Sequence, residues 1–157
     1  PLMHIIAAKA VCFYEAMQPD FVKYQQAVLD NALILGVELE KAGLRLVSGG
    51  TDNHIVLVDL VKTGLTGLEV QRALESVGII VNRNVIPYDP HPPKICGGLR
   101  IGTPAVTTRG MGQEEMKLIA SWIVKVISNI HSQQVLSQIR EEVAQMCSRF
   151  PVPGIDY

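Results

Sequence analysis

Between Asn82 and Gly110 the chain reads NRNVIPYDPHPPKICGGLRIGTPAVTTRG, and its four prolines from Pro87 to Pro93 constrain the fold more than any other feature. Each proline removes a backbone donor and pushes its predecessor towards extended geometry, which excludes helix and central strand. The stretch therefore predicts an ordered loop. It runs into Gly97-Gly98-Leu99-Arg100-Ile101-Gly102, a short apolar run flanked by glycines. Such a run reads as a strand that another backbone or a ligand can approach closely. Side chains alternate along a strand, so Arg100 points to the opposite face from Leu99 and Ile101. It faces something other than the core.

The rest of the composition is that of a well-packed domain. With 157 residues, 48% of them hydrophobic, the chain can bury roughly 70% of its unfolded surface, and one domain is the starting expectation. Fourteen basic residues against fifteen acidic ones give a formal charge of -1, with no basic run to neutralise a phosphate backbone, which argues against nucleic acid as a partner. Cys12, Cys96 and Cys147 are an odd set at neither metal-like nor paired spacing; they suit a reducing compartment, so a cytoplasmic location is expected. The apolar opening PLMHIIAAKAVCFY has no charged start and carries Lys9 inside it, unlike a signal peptide. No stretch reaches the roughly 18 consecutive apolar residues of a membrane span, so no membrane association is expected.

Leu2, Ile5, Ile6, Lys9, Ala10 and Phe13 fall at helical spacing, but nearly every other residue up to Val11 is apolar too. Such a helix should be covered on most sides, and with no cap before it the partners that cover it are expected to lie outside this chain, the polypeptide being part of something longer. Pro19 suits the first turn of a second helix, with a stripe through Phe21, Tyr24, Val28, Ala32, Leu35, Leu39 and Ala42 and a stop at Gly43. Leu44–Val47 and His54–Leu60 read as strands joined by turn-favouring residues, a hairpin or near-hairpin. Thr66-Gly67-Leu68-Glu69 has the capping-box pattern and opens a helix through Val70, Ala73, Leu74 and Val77, with Gly78 as its stop. Ile79-Ile80-Val81 is predicted to be a strand leading into the proline loop. Two helical stripes follow Gly110, one from Met116 to Ile130 and one from Val135 to Cys147, separated near His131 and Ser132, before a tail with Pro151, Pro153 and Gly154. The expected fold is of the α+β type, a small, mostly antiparallel sheet covered by helices.

Five blocks, PLMHIIAAKAV, LVSGGTDNHIVLVDL, GLTG, NRNVIPYDP and GGLRIGTPAVTTRG, more than fifty residues in this order and spacing, resemble the C-terminal part of serine hydroxymethyltransferase. That family belongs to the fold-type I pyridoxal-phosphate enzymes and interconverts serine plus tetrahydrofolate with glycine plus methylene-tetrahydrofolate. The resemblance implies that residues 1–18 are a long helix linking to a large cofactor domain that is missing here, and that 19–157 are the small C-terminal domain. It also implies a soluble cytoplasmic enzyme of one-carbon and amino-acid metabolism, a homodimer or tetramer, with serine or glycine and folate as its ligands.

The family's Schiff-base lysine, in a threonine-rich block, has no counterpart among Lys9, Lys23, Lys41, Lys62, Lys94, Lys117 and Lys125. The histidine and aspartate that serve the cofactor ring are missing too. No catalytic residue is therefore expected in this fragment, which should be inactive alone, with pyridoxal phosphate held mainly by the missing domain. Arg100 matches the arginine that binds the substrate carboxylate, a task for which a planar guanidinium with two parallel charge-assisted bonds is suited. The alternative is a strand arginine paired with an acid such as Asp59 or Asp89. Asn84 matches an asparagine that hydrogen-bonds the pteridine ring of folate; its alternative is to stabilise the turn into the loop. Pro92, Pro93 and Lys94 fall in the segment lining the folate site. There the sequence departs from the family, with Pro92 for a serine, Lys94 for a phenylalanine and Cys96-Gly97 for Thr-Ser. A lysine at 94 could attract the glutamate tail of folate. Arg109 is expected to hold the loop near the strand.

His54 and His4 have no second ligand at useful spacing, so they read as structural and no metal site is expected. Two other readings remain at this point. One is the equivalent domain of another fold-type I enzyme such as an aminotransferase, against which NRNVIPYDP speaks. The other is a free-standing ligand-binding or oligomerisation module that docks through its apolar first helix.

Overall fold

The computed structural model describes residues 1–155 and contains six helices and four short strands among them. Helix α1 spans Met3–Ala16 and α2 spans Pro19–Lys41, with Pro19 in its first turn as its fixed φ favours. Strands β1, Arg45–Leu46, and β2, Ile55–Asp59, form the antiparallel hairpin-like pair that the turn residues predict. Strand β1 is shorter than predicted because Val47–Gly49 closes into a 3-10 turn, in which Ser48 takes φ +64°. Helix α3, Gly67–Ser76, begins with the full capping box: the Glu69 N–H donates to the Thr66 hydroxyl, and Glu69 Oε2 accepts the Thr66 N–H at 2.8 Å. Strand β3 is Asn82–Asn84 and β4 is Gly98–Gly102. A short helix α4, Pro104–Thr108, follows, and α5, Gln113–Ser128, and α6, Gln133–Arg149, complete the chain.

The strands pair antiparallel in the order β1-β2-β4-β3. Helices pack on one face of this sheet. Leu35 and Leu39 of α2, Val70 and Leu74 of α3, and Met116 and Ile123 of α5 meet Val56, Val58 and Leu99 there, all nearly or fully buried. These positions are the apolar stripes read from the sequence, and their burial, at about 1.5–3 kcal/mol for each large side chain, is what holds the layers together. On the other face the strand register sets Leu57, Arg100 and Asn82 side by side in one row across three strands.

One expectation fails. Ile79-Ile80-Val81 is not a strand; β3 begins one residue later, at Asn82. After Gly78 the Ile79 N–H returns to the Leu74 carbonyl, and β4 turns away into α4 at Thr103-Pro104, so no partner strand lies beside Ile80. An apolar cavity lies between the two segments instead. The first helix finds no cover within this chain: α1 buries no residue, and Leu2, Met3, Phe13 and Tyr14 are all largely exposed.

Helix α4 was not anticipated. It is locked to α2 by polar side chains. The buried amide of Asn31 donates to Thr107 Oγ1 at 2.9 Å and to the Met111 carbonyl at 3.0 Å, and the buried Thr103 hydroxyl donates to the Val28 carbonyl at 2.8 Å. Tyr24 Oη lies 2.9 Å from Thr108 Oγ1. These bonds fix the segment that directly follows β4.

Candidate functional site

Arg100 stands at the centre of β4 with its side chain on the open face, while Leu99 and Ile101 are buried on the other. Among the described residues it takes part in no ion pair. Both acids that could have neutralised it are engaged elsewhere. Asp59 pairs with Arg45 and also accepts the Val61 N–H at 2.8 Å. Asp89 accepts three backbone N–H groups, from Gly97 at 2.8 Å, His91 at 2.9 Å and Ile86 at 3.2 Å. The guanidinium is thus left to offer its donors outward.

The loop from Val85 to Gly97 is built around that carboxylate. Burial by itself would push the Asp89 carboxyl up and is the largest single influence, but the bonds from Gly97, His91 and Ile86 together outweigh it and hold the group below the usual carboxylate range. The Pro92 carbonyl accepts the N–H groups of Ile95 and Cys96 in a tight turn, and Cys96 takes φ +60° with its thiol on the Pro93 carbonyl. At its base the loop is tied down twice more, by the Gly67 N–H on the Cys96 carbonyl at 2.8 Å and the Leu68 N–H on the Ile95 carbonyl at 3.1 Å. Orphan donors of the α3 N-terminus are thereby satisfied by the loop itself.

Close approach here requires glycine. A Cβ on Gly67 would sit 2.5 Å from the Gly98 carbonyl oxygen, and one on Gly98 would collide with the Ile86 side chain and lie 2.9 Å from the Asn84 carbonyl. The glycines flanking β4 do let backbone and loop close on the strand, as the sequence suggested.

An open depression of about 340 Å³ results, lined by Arg100, Asn82 and Asn84 on the sheet, Pro93 and Cys96 on the loop, and Arg83 with Gln71 at its edge. The structure thus brings Arg100, Asn84 and Pro93 together. Pro92 and Lys94 do not line it: Pro92 organises the turn through its carbonyl, and Lys94 is exposed, with its carbonyl accepting Arg83 Nε at 2.9 Å. Asn84 Nδ2 donates to the neighbouring Val85 carbonyl at 2.7 Å, so it stabilises the turn as well as facing the depression. Arg109 does not hold the loop. Its Nε and Nη2 donate to the Phe150 and Cys147 carbonyls, tying α4 to the end of α6. His54 contributes its carbonyl to the Thr103 N–H, and His4 is exposed on α1. No group of three or more His, Cys, Asp or Glu side chains converges among the described residues.

Arg83 escaped the sequence reading. Its guanidinium and its backbone N–H both donate to Gln71 Oε1, at 3.1 and 3.0 Å, which bridges β3 to α3 at the edge of the depression. Strand alternation within Asn82-Arg83-Asn84 could have separated the two asparagines from Arg83, but nothing local names Gln71 as its partner. With the unpaired Arg100, the amide-bearing Asn82 and Asn84 and no acid in its lining, the depression is suited to an anionic ligand that carries further hydrogen-bonding groups. A larger hollow of about 490 Å³ between Leu44, Leu65 and Ile127 has His131 as its one ionisable lining side chain and offers no such convergence.

The family profile described as "Serine hydroxymethyltransferase" matches residues 1–123. Curated proteins of that name from three strains of Dehalococcoides mccartyi are each 50% identical to this chain over 157 residues, 99% of its length. The chain spans 38% of the length of those relatives. With the profile covering most of its residues, the chain belongs to the serine hydroxymethyltransferase family.

Proposed function

We propose that this chain is the small C-terminal domain of a pyridoxal-phosphate-dependent serine hydroxymethyltransferase, and that it serves the amino-acid and folate side of the reaction between serine plus tetrahydrofolate and glycine plus methylene-tetrahydrofolate. The observation that carries the reading is the unpaired guanidinium of Arg100, set in one depression with Asn84 and Pro93. In this role Arg100 clamps the substrate carboxylate through two parallel bonds and thereby fixes which bond at the α-carbon is aligned for cleavage. Asn84 offers an amide edge to the pteridine, Pro92 and Pro93 keep the loop in place against it, and the exposed Lys94 amine attracts the glutamate tail of folate. Residues 1–18 are the link to the cofactor domain, and the apolar surface of α1 is covered there or by another subunit of a homodimer or tetramer.

The donor set around Arg100 does not fit the cofactor itself. No lysine lines the depression, so nothing there could form a Schiff base with the pyridoxal aldehyde. Pyridoxal phosphate, the electron sink of the reaction, would be held by other parts of the enzyme, and the 157 residues alone are inactive. The test is to titrate serine and folate against the full-length enzyme with Arg100 or Asn84 replaced. Loss of serine binding in Arg100→Ala and of folate binding in Asn84→Ala, each without loss of the other, is the expected pattern. Unchanged serine affinity in Arg100→Ala would overturn the assignment.

A further inference from the structure

On the helix-covered side of the sheet lies a second, apolar cavity of about 270 Å³, which shares no lining residue with the depression at Arg100. Ile101 of β4, Met116 and Trp122 of α5 and Met146 of α6 form its walls, and the exposed Ile80 and Ala105 lie at its rim. Residues 79–81 do not pair with β4, and Ile80 is 78% exposed. The polar atoms inside are already engaged: Trp122 Nε1 donates to Glu142 at 2.6 Å and the Thr103 hydroxyl to Val28. Whatever fills the interior must therefore be apolar.

One lining group is charged. Arg109 sits at the wall with Nε and Nη2 on the Phe150 and Cys147 carbonyls, while Nη1 makes no hydrogen bond and the guanidinium no ion pair among the described residues. A cation at the edge of an apolar cavity complements an anion at the end of an apolar chain. An apolar cavity of about 150 Å³ accepts benzene, which scales to roughly ten non-hydrogen atoms here.

We propose that this cavity binds a medium-chain carboxylate, with its tail between Met116, Trp122 and Met146 and its carboxylate on Arg109 Nη1. Thioether and indole walls adapt to a flexible alkyl chain, and methionine in particular repacks around irregular ligands.

Trp122 is the only tryptophan, 5% exposed, and lines the cavity, so its emission reports occupancy directly. The 157-residue chain is titrated with octanoate at pH 8, below its micellar concentration, and in parallel with uncharged octan-1-ol. Octanoate should give a saturable, one-to-one change in Trp122 emission and octan-1-ol a saturable change at about tenfold weaker affinity. Arg109→Gln should bring octanoate down to the affinity of octan-1-ol and leave the alcohol unaffected. Should Arg109→Gln unfold because α6 loses its tie, Ala105→Phe at the exposed rim should block both ligands while the far-ultraviolet spectrum stays native. No saturable response to octanoate, equal affinity for the two ligands, or undiminished octanoate binding in a folded Arg109→Gln or Ala105→Phe protein would each overturn the proposal.

Discussion

The carboxylate of Asp89 accepts the backbone N–H of Gly97 at 2.8 Å and so ties the start of the proline loop to the residue that leads into β4. Together with the bonds from His91 and Ile86 it replaces the ladder that a loop with four prolines cannot form. Asp89→Ala would leave three N–H groups without their partner and should destabilise the chain by roughly 1–3 kcal/mol, read from the urea midpoint. Asp89→Asn, which keeps one acceptor oxygen, should lose less.

The same bonds set a pH dependence. The Asp89 carboxyl is more acidic in the folded chain than the ordinary value of about 3.9 that it has when unfolded. Its contribution is therefore fully present above about pH 4 and disappears as the pH falls through the lower folded value. The Gly97 amide proton, followed by NMR, should titrate with a midpoint below 3.9. A midpoint above that value would mean that burial, not the three bonds, dominates.

Gly98→Ala should strain the site from inside. The added methyl would collide with Ile86 and lie 3.1 Å from the Val58 carbonyl, so either the loop or β2 must move. Overpacking of this kind costs about 1–3 kcal/mol. A lowered melting temperature with normal secondary structure is the expected result, and an unchanged one would show that the loop yields freely.

Those contacts mark how far the sequence could be read. The helix stripes, the capping box at Thr66, the outward direction of Arg100 and the loop itself were all legible, because each depends on local periodicity or on proline and glycine chemistry. What was not legible depends on distant partners. Asn31 lies on the buried side of an apolar helix, and its purpose appears only with Thr107 and Met111, 76 and 80 residues away. Arg83 needs Gln71, and Arg109 needs the end of α6. Ile79-Ile80-Val81 has strand composition without a strand, since β-propensity describes a residue that fits a pleated surface and no neighbouring strand supplies one there. Placing Asn84 and Arg100 in one depression, with Pro92 and Lys94 outside it, required the β3–β4 register.

The exposed α1 leads to a prediction about association. Leu2, Met3, Phe13, Tyr14 and Met17, on α1 and the residues flanking it, are each more than 60% exposed, a larger apolar display than an isolated soluble surface usually carries. Sedimentation of the 157-residue chain should show self-association that grows with concentration, and removal of residues 1–18 should abolish it while the melting temperature of the remainder changes little. A chain that stays monomeric at high concentration would contradict this.

Arg100→Lys separates a binding arginine from a structural one. Arg100 is exposed and its guanidinium has no acid partner among the described residues, so neither Arg100→Lys nor Arg100→Ala should shift the unfolding free energy by more than about 0.5 kcal/mol. A structural ion pair would not behave so. In the full-length enzyme, lysine keeps the charge but loses the two-pronged geometry, and losing one charge-assisted bond should weaken serine binding by about 10- to 100-fold. Misorientation of the substrate should slow turnover further. Alanine should be worse in both respects, while affinity for pyridoxal phosphate, which the proposed function assigns to other parts of the enzyme, should hardly move. Calorimetric titration of serine, run beside thermal unfolding of the same variants, distinguishes the outcomes. Stable variants with weakened serine binding fit the carboxylate clamp, and a destabilised Arg100→Lys that binds serine normally would show that the guanidinium serves the sheet and not the substrate.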